Sequence, residues 1–380
     1  MRTGILERLA EAAGDPWSYA AQWKRRTGRA VVGILPMNFP AELVHAAGAL
    51  PLLVQQSREP ITVGNAIFPT FYCGYSRSLV DQAARGRCEV LDALLFVDNC
   101  VQIIGAADVI RLTRPELPTR YFQLNSSVGD GDSVPTAERA FRSLRMELAD
   151  LVGPVTDAAV TEAIALFNEN RRLLREIRAL RNHTGVLSSR QMQTLITSSM
   201  VMDRAEHTQL LTELLAELTA AAAARPAGVR VHLSGHMCHP PHPDLLDMIE
   251  ESGATVVNDD LYHGLRYIAT DVRADGDPLA ALAQWYVDRD ATVPCPTRVL
   301  SRTSWATYLA DQVRATGADG VVMLMPKFCE PQMYHHPQLC EALDKQQVPY
   351  LLIETEHEGM PMEALRTRIE SFLELIALRG

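Results

Sequence analysis

Short apolar runs alternate with longer amphipathic stretches over roughly the first 150 residues. AVVGILP (30–36) and DALLFVD (92–98) have β-branched or apolar interiors, and TRYFQLN (119–125) carries Thr119, Tyr121, Phe122 and Leu124 among polar residues; all three read as strands of a parallel sheet. Between them, AELVHAAGAL (41–50) and SRSLVDQAARG (76–86) repeat apolar positions at helical spacing. Strands alternating with helices predict a parallel sheet covered on both faces. From about residue 151 the pattern changes. ALFNENRRLLREIRALR (165–181) and RAEHTQLLTELLAELTAAAAA (204–224) are rich in Ala, Leu, Glu and Arg and hold no strand-like run, which predicts two or three long bridging helices. RPAGVR (225–230) reads as a linker.

The alternation then returns. VRVHLSG (229–235), ATVVND (254–259), GVVMLM (320–325) and PYLLIE (349–354) are strand candidates. DLLDMIEESG (244–253), DPLAALAQWYVD (277–288), SWATYLADQVRATG (304–317) and the stretch from Pro361 to the end are helix candidates. The expected organisation is an N-terminal α/β domain (1–150), a helical bridging segment (151–227) and a C-terminal α/β domain (228–380). Each α/β domain is expected to be a doubly wound parallel sheet of the Rossmann or flavodoxin kind. The two halves share this pattern without aligning residue for residue.

Composition narrows the function classes. A chain of 380 residues suits two or three domains, and 47% hydrophobic with 22% charged residues is ordinary for a globular protein. A formal net charge of −10 argues against a nucleic-acid surface and against a polybasic membrane patch, so an anionic ligand needs a local basic pocket. No apolar stretch reaches the length of a membrane-spanning helix. The N-terminus carries Glu7, Glu11 and Asp15 where a signal peptide needs an apolar run, and it reads as an amphipathic helix at a mature cytoplasmic start. Seven scattered cysteines with no CxxC pair speak against a disulfide framework.

In open α/β sheets, ligands bind beyond the carboxyl ends of the strands. Cys100 follows DALLFVDN and Cys329 follows GVVMLMPKF, so thiols from two domains can face one cleft. Cys73, in FPTFYCGYSRSL, lies after Pro69 and ahead of a helix expected to begin near Ser76. The positive end of that helix favours a thiolate. Three thiolates suit zinc with a fourth ligand, or an iron–sulfur cluster with one open iron. They also suit three plain buried thiols, because the spacing matches no compact motif.

Other residues carry weaker signals. His236, Cys238, His239 and His242 crowd a Pro-rich loop after VRVHLSG, where they could contact substrate, move protons or simply cap the cleft. Asp259 and Asp260 could shift each other's pKa or cap the next helix. Arg266 and Lys327 could meet an anionic group, or lie solvated on the surface. Glu42 and His45 could share a helix face toward the cleft. Cys88, Cys295 and Cys340 read as structural.

LPMNFPAELVHAAGALP (35–51), FPTFYCGYSRSL (68–79), LLFVDNCVQ (94–102), GATVVNDDLYHGLR (253–266), ADGVVMLMPKFCEP (318–331) and VPYLLIETE (348–356) together resemble the family of 2-hydroxyacyl-CoA dehydratases and ATP-dependent benzoyl-CoA reductases. The resemblance covers nearly the whole chain and is closest to the smaller iron–sulfur subunit. It implies a [4Fe–4S] cluster on Cys73, Cys100 and Cys329, placed in the interdomain cleft. It also implies a homologous larger cluster-bearing subunit, an ATP-hydrolysing iron–sulfur activator and an acyl-CoA substrate. The chain has no GxxxxGK[ST] loop, in keeping with ATP hydrolysis residing elsewhere.

Many dehydratases of the family carry Cys–Asp at the second cluster position. Here Cys100 is followed by Val101, Gln102 and IIGAADVIR, which looks more like a benzoyl-CoA reductase subunit. The expected function is therefore low-potential single-electron reduction of an aromatic acyl-CoA, as a catalytic or electron-relay subunit. The alternatives are a subunit of an (R)-2-hydroxyacyl-CoA dehydratase and a zinc-stabilised, non-redox structural subunit. His236, His239, Glu42 and Lys327 are the candidate catalytic side chains.

Overall fold

The computed structural model describes residues 2–36, 39–98, 100–221, 228–235, 238–273, 275–299 and 303–378. Helices α1 (Arg2–Gly14) and α2 (Pro16–Thr27) precede the first sheet. That sheet contains β1 (Val31–Ile34), β2 (Leu50–Leu53), β3 (Ala93–Val97) and β4 (Thr119–Phe122), all parallel in the order β2-β1-β3-β4. Its central strands β1 and β3 are buried at every position, which is why they read as unbroken apolar runs. Helices α3 (Ala41–Ala46), α4 (Gly64–Ile67), α5 (Gly74–Ala84) and α6 (Val101–Thr113) connect the strands.

AELVHAAGAL is not one helix. α3 ends before Gly48, which turns the chain with φ 84, and Leu50 already belongs to β2. The sequence pattern missed β2 because LPLL is four residues long and contains Pro51. Proline is tolerated there because β2 is the edge of the sheet.

Four helices follow: α7 (Ser133–Leu151), α8 (Asp157–Thr184), α9 (Ser189–Ser199) and α10 (Arg204–Ala220). Thr156 caps α8, and Ser188 with Gln191 forms a capping box on α9. The 28 residues of α8 make a spine about 42 Å long. Its arginines recur on one face and tie the two halves together. Arg171 pairs with Glu42 of α3 at 2.9 Å, Arg178 with Asp259 at 3.0 Å and Arg181 with Glu250 at 3.1 Å. Helix α1 packs on α9 and α10, and Trp23 and Tyr19 of α2 bond Asp203 and Glu206. The N-terminal helices thus lean on the helical layer.

The second sheet contains β5 (Val229–Gly235), β6 (Ala254–Asp259), β7 (Gly320–Pro326) and β8 (Tyr350–Thr355), parallel in the order β6-β5-β7-β8. Both sheets therefore share one strand order, the doubly wound kind expected. Around the second sheet lie α11 (Pro243–Glu251), α12 (Leu265–Ile268), α13 (Pro278–Thr292), α14 (Trp305–Thr316), α15 (Glu330–Lys345) and α16 (Met362–Ala377). α13 leaves its own sheet to pack on α7. One continuous hydrophobic core runs through the first sheet, the helical layer and one face of β7. A separate core packs α11 and α16 on the other face of the second sheet. Among the described residues no helix is long and apolar enough to cross a membrane.

Candidate metal centre

Three cysteines start three helices. Cys73 is the N-cap of α5, Cys100 of α6 and Cys329 of α15. The expected start of α5 near Ser76 moves two residues earlier, which puts Cys73 directly on the helix end. Each thiol thus meets the positive end of a helix and its unsatisfied backbone N–H groups. The N–H groups of Ser76 and Tyr75 favour the Cys73 thiolate, those of Gln102 and Ile103 the Cys100 thiolate, and that of Gln332 the Cys329 thiolate.

Burial works against these donors and wins. It raises the pKa of Cys73, pushes Cys100 up to about 11 and raises Cys329 further. Next to burial, Cys329 is raised by the charge of Cys73 and then, more weakly, of Cys100, while Cys73 also raises Cys100. The three sulfurs therefore lie within electrostatic reach of one another. Without a cation they are neutral thiols; a bound cation reverses that balance and makes them thiolates.

Gln102 ties the three cysteine loops together. It stands two residues after Cys100, accepts the backbone N–H of Cys73 at 2.6 Å, and donates to the Phe328 carbonyl at 2.5 Å. Phe328 immediately precedes Cys329 and has φ 61, a left-handed conformation costly for a bulky residue. Gln102 holds the carbonyl of that strained residue. No sequence signal marked this role, because its partners lie 29 and 226 residues away.

Cys238 also reaches this place. Its pKa is raised by burial and then by the charges of Cys329, Cys73, Cys100 and Cys295. Sequence reasoning left it inside a His-rich loop. The useful signal was its offset of three residues from the end of β5. Cys295 is buried and contacts the Thr297 hydroxyl at 3.2 Å. Cys88 is buried in a 3-10 turn, and Cys340 sits on α15 with its sulfur 3.4 Å from His336 Nε2.

The other candidates are dispersed. His236 lies outside the described residues. His239 stacks on Tyr75 with rings 6.5 Å apart and 8° from parallel, and burial lowers its pKa to about 4, so it is neutral at pH 7. His242 caps α11, accepting from the Asp244 N–H. Glu42 is buried against Arg171, and His45 packs edge-on to Phe167 of α8, so this helix face meets the spine and not the cleft. Lys327 is exposed and pairs with Glu356.

Asp259 and Asp260 point apart. Asp259 caps α12 through the Leu265 N–H at 2.7 Å. Asp260 is fully buried and accepts from Ser234 Oγ at 2.8 Å, the Gly235 N–H at 2.9 Å and Trp305 Nε1 at 2.7 Å. Burial alone would raise its pKa, but His232, Arg266 and Trp305 bring the net shift down. Arg266 is likewise buried, with Asp260 as its partner, and so is not solvated on the surface.

Among the described residues no three His, Cys, Asp or Glu side chains close on a single metal ion. A cubane carries its thiolates on separate irons and so asks for a wider set than a tetrahedral ion does. Three thiols on three helix N-termini, each facing backbone N–H groups, are a donor set that fits such a cluster.

The chain has known relatives along its whole length. The family model described as 2-hydroxyglutaryl-CoA dehydratase, D-component, matches residues 36–376. The chain is 29% identical to a benzoyl-CoA reductase subunit of Thauera aromatica, over 100% of both chains. It is 27% identical to lactoyl-CoA dehydratase subunit beta of Anaerotignum propionicum, over 98% of each. It is 24% identical to (R)-2-hydroxyglutaryl-CoA dehydratase subunit beta of Acidaminococcus fermentans, over 98% of this chain and 99% of that one.

Proposed function

The chain belongs to the 2-hydroxyglutaryl-CoA dehydratase D-component family, an enzyme subunit that works beside a partner subunit, and from that premise we propose that it carries a [4Fe–4S] cluster on Cys73, Cys100 and Cys329 in a benzoyl-CoA reductase-type enzyme. The observation that carries the reading is the convergence of three helix-capping thiols tied by Gln102. A cluster held there would supply single electrons at low potential toward an acyl-CoA thioester, received in turn from an ATP-hydrolysing activator. The chain's own residues hold the thiolates, aim backbone N–H groups at their sulfurs and keep water away.

A relay role, with the substrate held mainly by the larger partner, fits the surroundings. A cavity of about 550 Å³ opens beside the loop after Cys238, lined by Gln55, Arg58, Arg85, Arg87, Arg190 and Pro240 among others. Glu59 neutralises Arg85 and Arg87, and Asp244 with Asp247 neutralises Arg190. Arg58 forms no ion pair with a carboxylate among the described residues. A single guanidinium of that kind is little for the phosphates of coenzyme A.

The second reading is a 2-hydroxyacyl-CoA dehydratase subunit, favoured by the beta subunits among its relatives. Anaerobic expression with the partner subunit, followed by iron, sulfide and zinc analysis, tests the cluster. The expected result is about four irons and four sulfides per chain, lost in Cys73→Ser, Cys100→Ser or Cys329→Ser. Zinc without iron overturns it. Turnover of benzoyl-CoA against a 2-hydroxyacyl-CoA, with an activator present, then separates the two readings.

A further inference from the structure

Three cysteines stand at one and the same offset beyond neighbouring strand ends. β3 ends at Val97 and Cys100 follows three residues later; β7 ends at Pro326 and Cys329 follows three later; β5 ends at Gly235 and Cys238 follows three later. These are the strands that flank the points where each sheet reverses its winding: β1/β3 in one and β5/β7 in the other. Ligands collect in that crevice. The offset is short enough, about 10 Å of chain, to keep each thiol near its strand end.

β5 and β7 are direct neighbours, with Gly235 opposite Leu324. The approach is close enough to require glycine: φ is 112, and a Cβ on Gly235 would fall 2.1 Å from the Leu324 carbonyl and 2.5 Å from Gln332 Nε2. Gln332 belongs to the first turn of α15, the helix that Cys329 caps. The loop leaving β5 therefore starts against the base of the Cys329 site. On its other side, the stacking of His239 on Tyr75 sets the same loop against the first turn of α5, which Cys73 caps. Cys238 lies between these two contacts.

Its surroundings differ from those of the three capping thiols. Cys238 starts no helix, and besides burial the influences on its sulfur are the charges of Cys329, Cys73, Cys100 and Cys295. Ligation of iron by Cys238 would release its thiol proton to solvent. Cys295 is the weakest of those four charges and already has the Thr297 hydroxyl as a partner.

We propose that Cys238 is the fourth thiolate of the cluster, so that the centre is closed to outside ligands and serves electron transfer only. This rests on the cluster reading above. A closed four-thiolate centre leaves no iron for a substrate oxygen and resists loss of an iron on oxidation.

The test is oxidation of the reconstituted two-subunit protein with ferricyanide, followed by EPR for the three-iron cluster left when one iron departs, with iron counted alongside. The wild type is expected to keep its irons. Cys238→Ser and Cys238→Ala are expected to bind the cluster yet lose the fourth iron about tenfold faster, and to show a changed EPR spectrum when cyanide is added to the reduced protein. The wild-type measurement stands whether or not the variants fold. If wild-type protein converts to the three-iron form readily and binds cyanide when reduced, the proposal fails while the three-cysteine cluster stands. If reconstituted wild type holds no iron, the proposal falls together with the reading beneath it.

Discussion

The rims of the two sheets share a strand order but are tied down by different chemistry. The C-terminal rim is held from beneath by a charge. Buried Asp260 receives bonds from the end of β5 and from Trp305 of α14, with Arg266 as its counter-charge. The N-terminal rim is held by a neutral amide, Gln102, which reaches across to the Cys329 loop of the other half. A buried charge is costly to leave unpaired, so it fixes strand ends within one domain firmly. An amide carries a smaller desolvation cost, and here it links two loops, at Cys73 and Phe328, that lie far apart in the chain.

Breaking the charged tie has the largest expected effect. Asp260→Ala leaves Arg266 buried without its carboxylate and is expected to cost about 3–5 kcal/mol, read from urea unfolding followed by tryptophan fluorescence. Asp260→Asn keeps the shape and part of the bonding and should cost less. A loss below about 1 kcal/mol for the Ala variant would show that this tie matters little. Because the folded-state pKa of Asp260 is lowered, its contribution is present above the ordinary value of 3.8 and is lost as pH falls through the folded value.

Cutting the amide tie comes next. Gln102→Ala strands the Cys73 N–H and the Phe328 carbonyl and is expected to cost about 1–3 kcal/mol. Its distinguishing readout is faster alkylation of Cys73 and Cys329 in the metal-free protein, with Cys88 unchanged. Equal rates in variant and wild type would remove Gln102 from the role described.

A third tie joins the two halves by way of a neutral imidazole. His263 Nε2 meets Gln55 Oε1 at 3.0 Å, and burial followed by the nearby His239 lowers its pKa from 6.5 to about 3. The unfolded chain takes up this proton below pH 6.5 and the folded chain does not. Stability is therefore full above pH 6.5 and falls as pH drops from there toward 3. Between pH 7 and 5.5 the loss is expected to be about 1 kcal/mol. Urea midpoints at the two pH values should lie closer together in His263→Gln; equal spacing in both proteins would contradict it.

The smallest effect expected is a gain. Phe328→Gly relieves the left-handed conformation of a residue that is 43% exposed, and should stabilise the protein by about 0.5–1 kcal/mol. A destabilised variant would mean that the ring packs against something worth more than the strain.

Much of the scaffold was legible from pattern alone. β5 to β8 fall within a residue or so of the runs read as strands, because each keeps a β-branched or aliphatic stretch bounded by turn or loop residues even where a polar residue such as His232 or Asn258 interrupts it. β2 escaped because an edge strand of four residues can contain proline. α15, the helix behind Cys329, was hidden by Pro331 and Pro337, which weaken a helical reading without abolishing the helix. The cysteines at strand ends, and the resemblance that joined them, were also available before any coordinates.

Local pattern placed most strand ends and the residues that stand just beyond them, since burial periodicity and strand-end position are local properties. Which of those residues meet depends on how the two halves pack. That packing turned Glu42 and His45 toward the α8 spine, buried Arg266 beside Asp260, and drew Gln102 and Cys238 to the capping thiols. Contacts spanning more than two hundred residues depend on how two sheets dock through a shared core, and no local pattern encodes that docking.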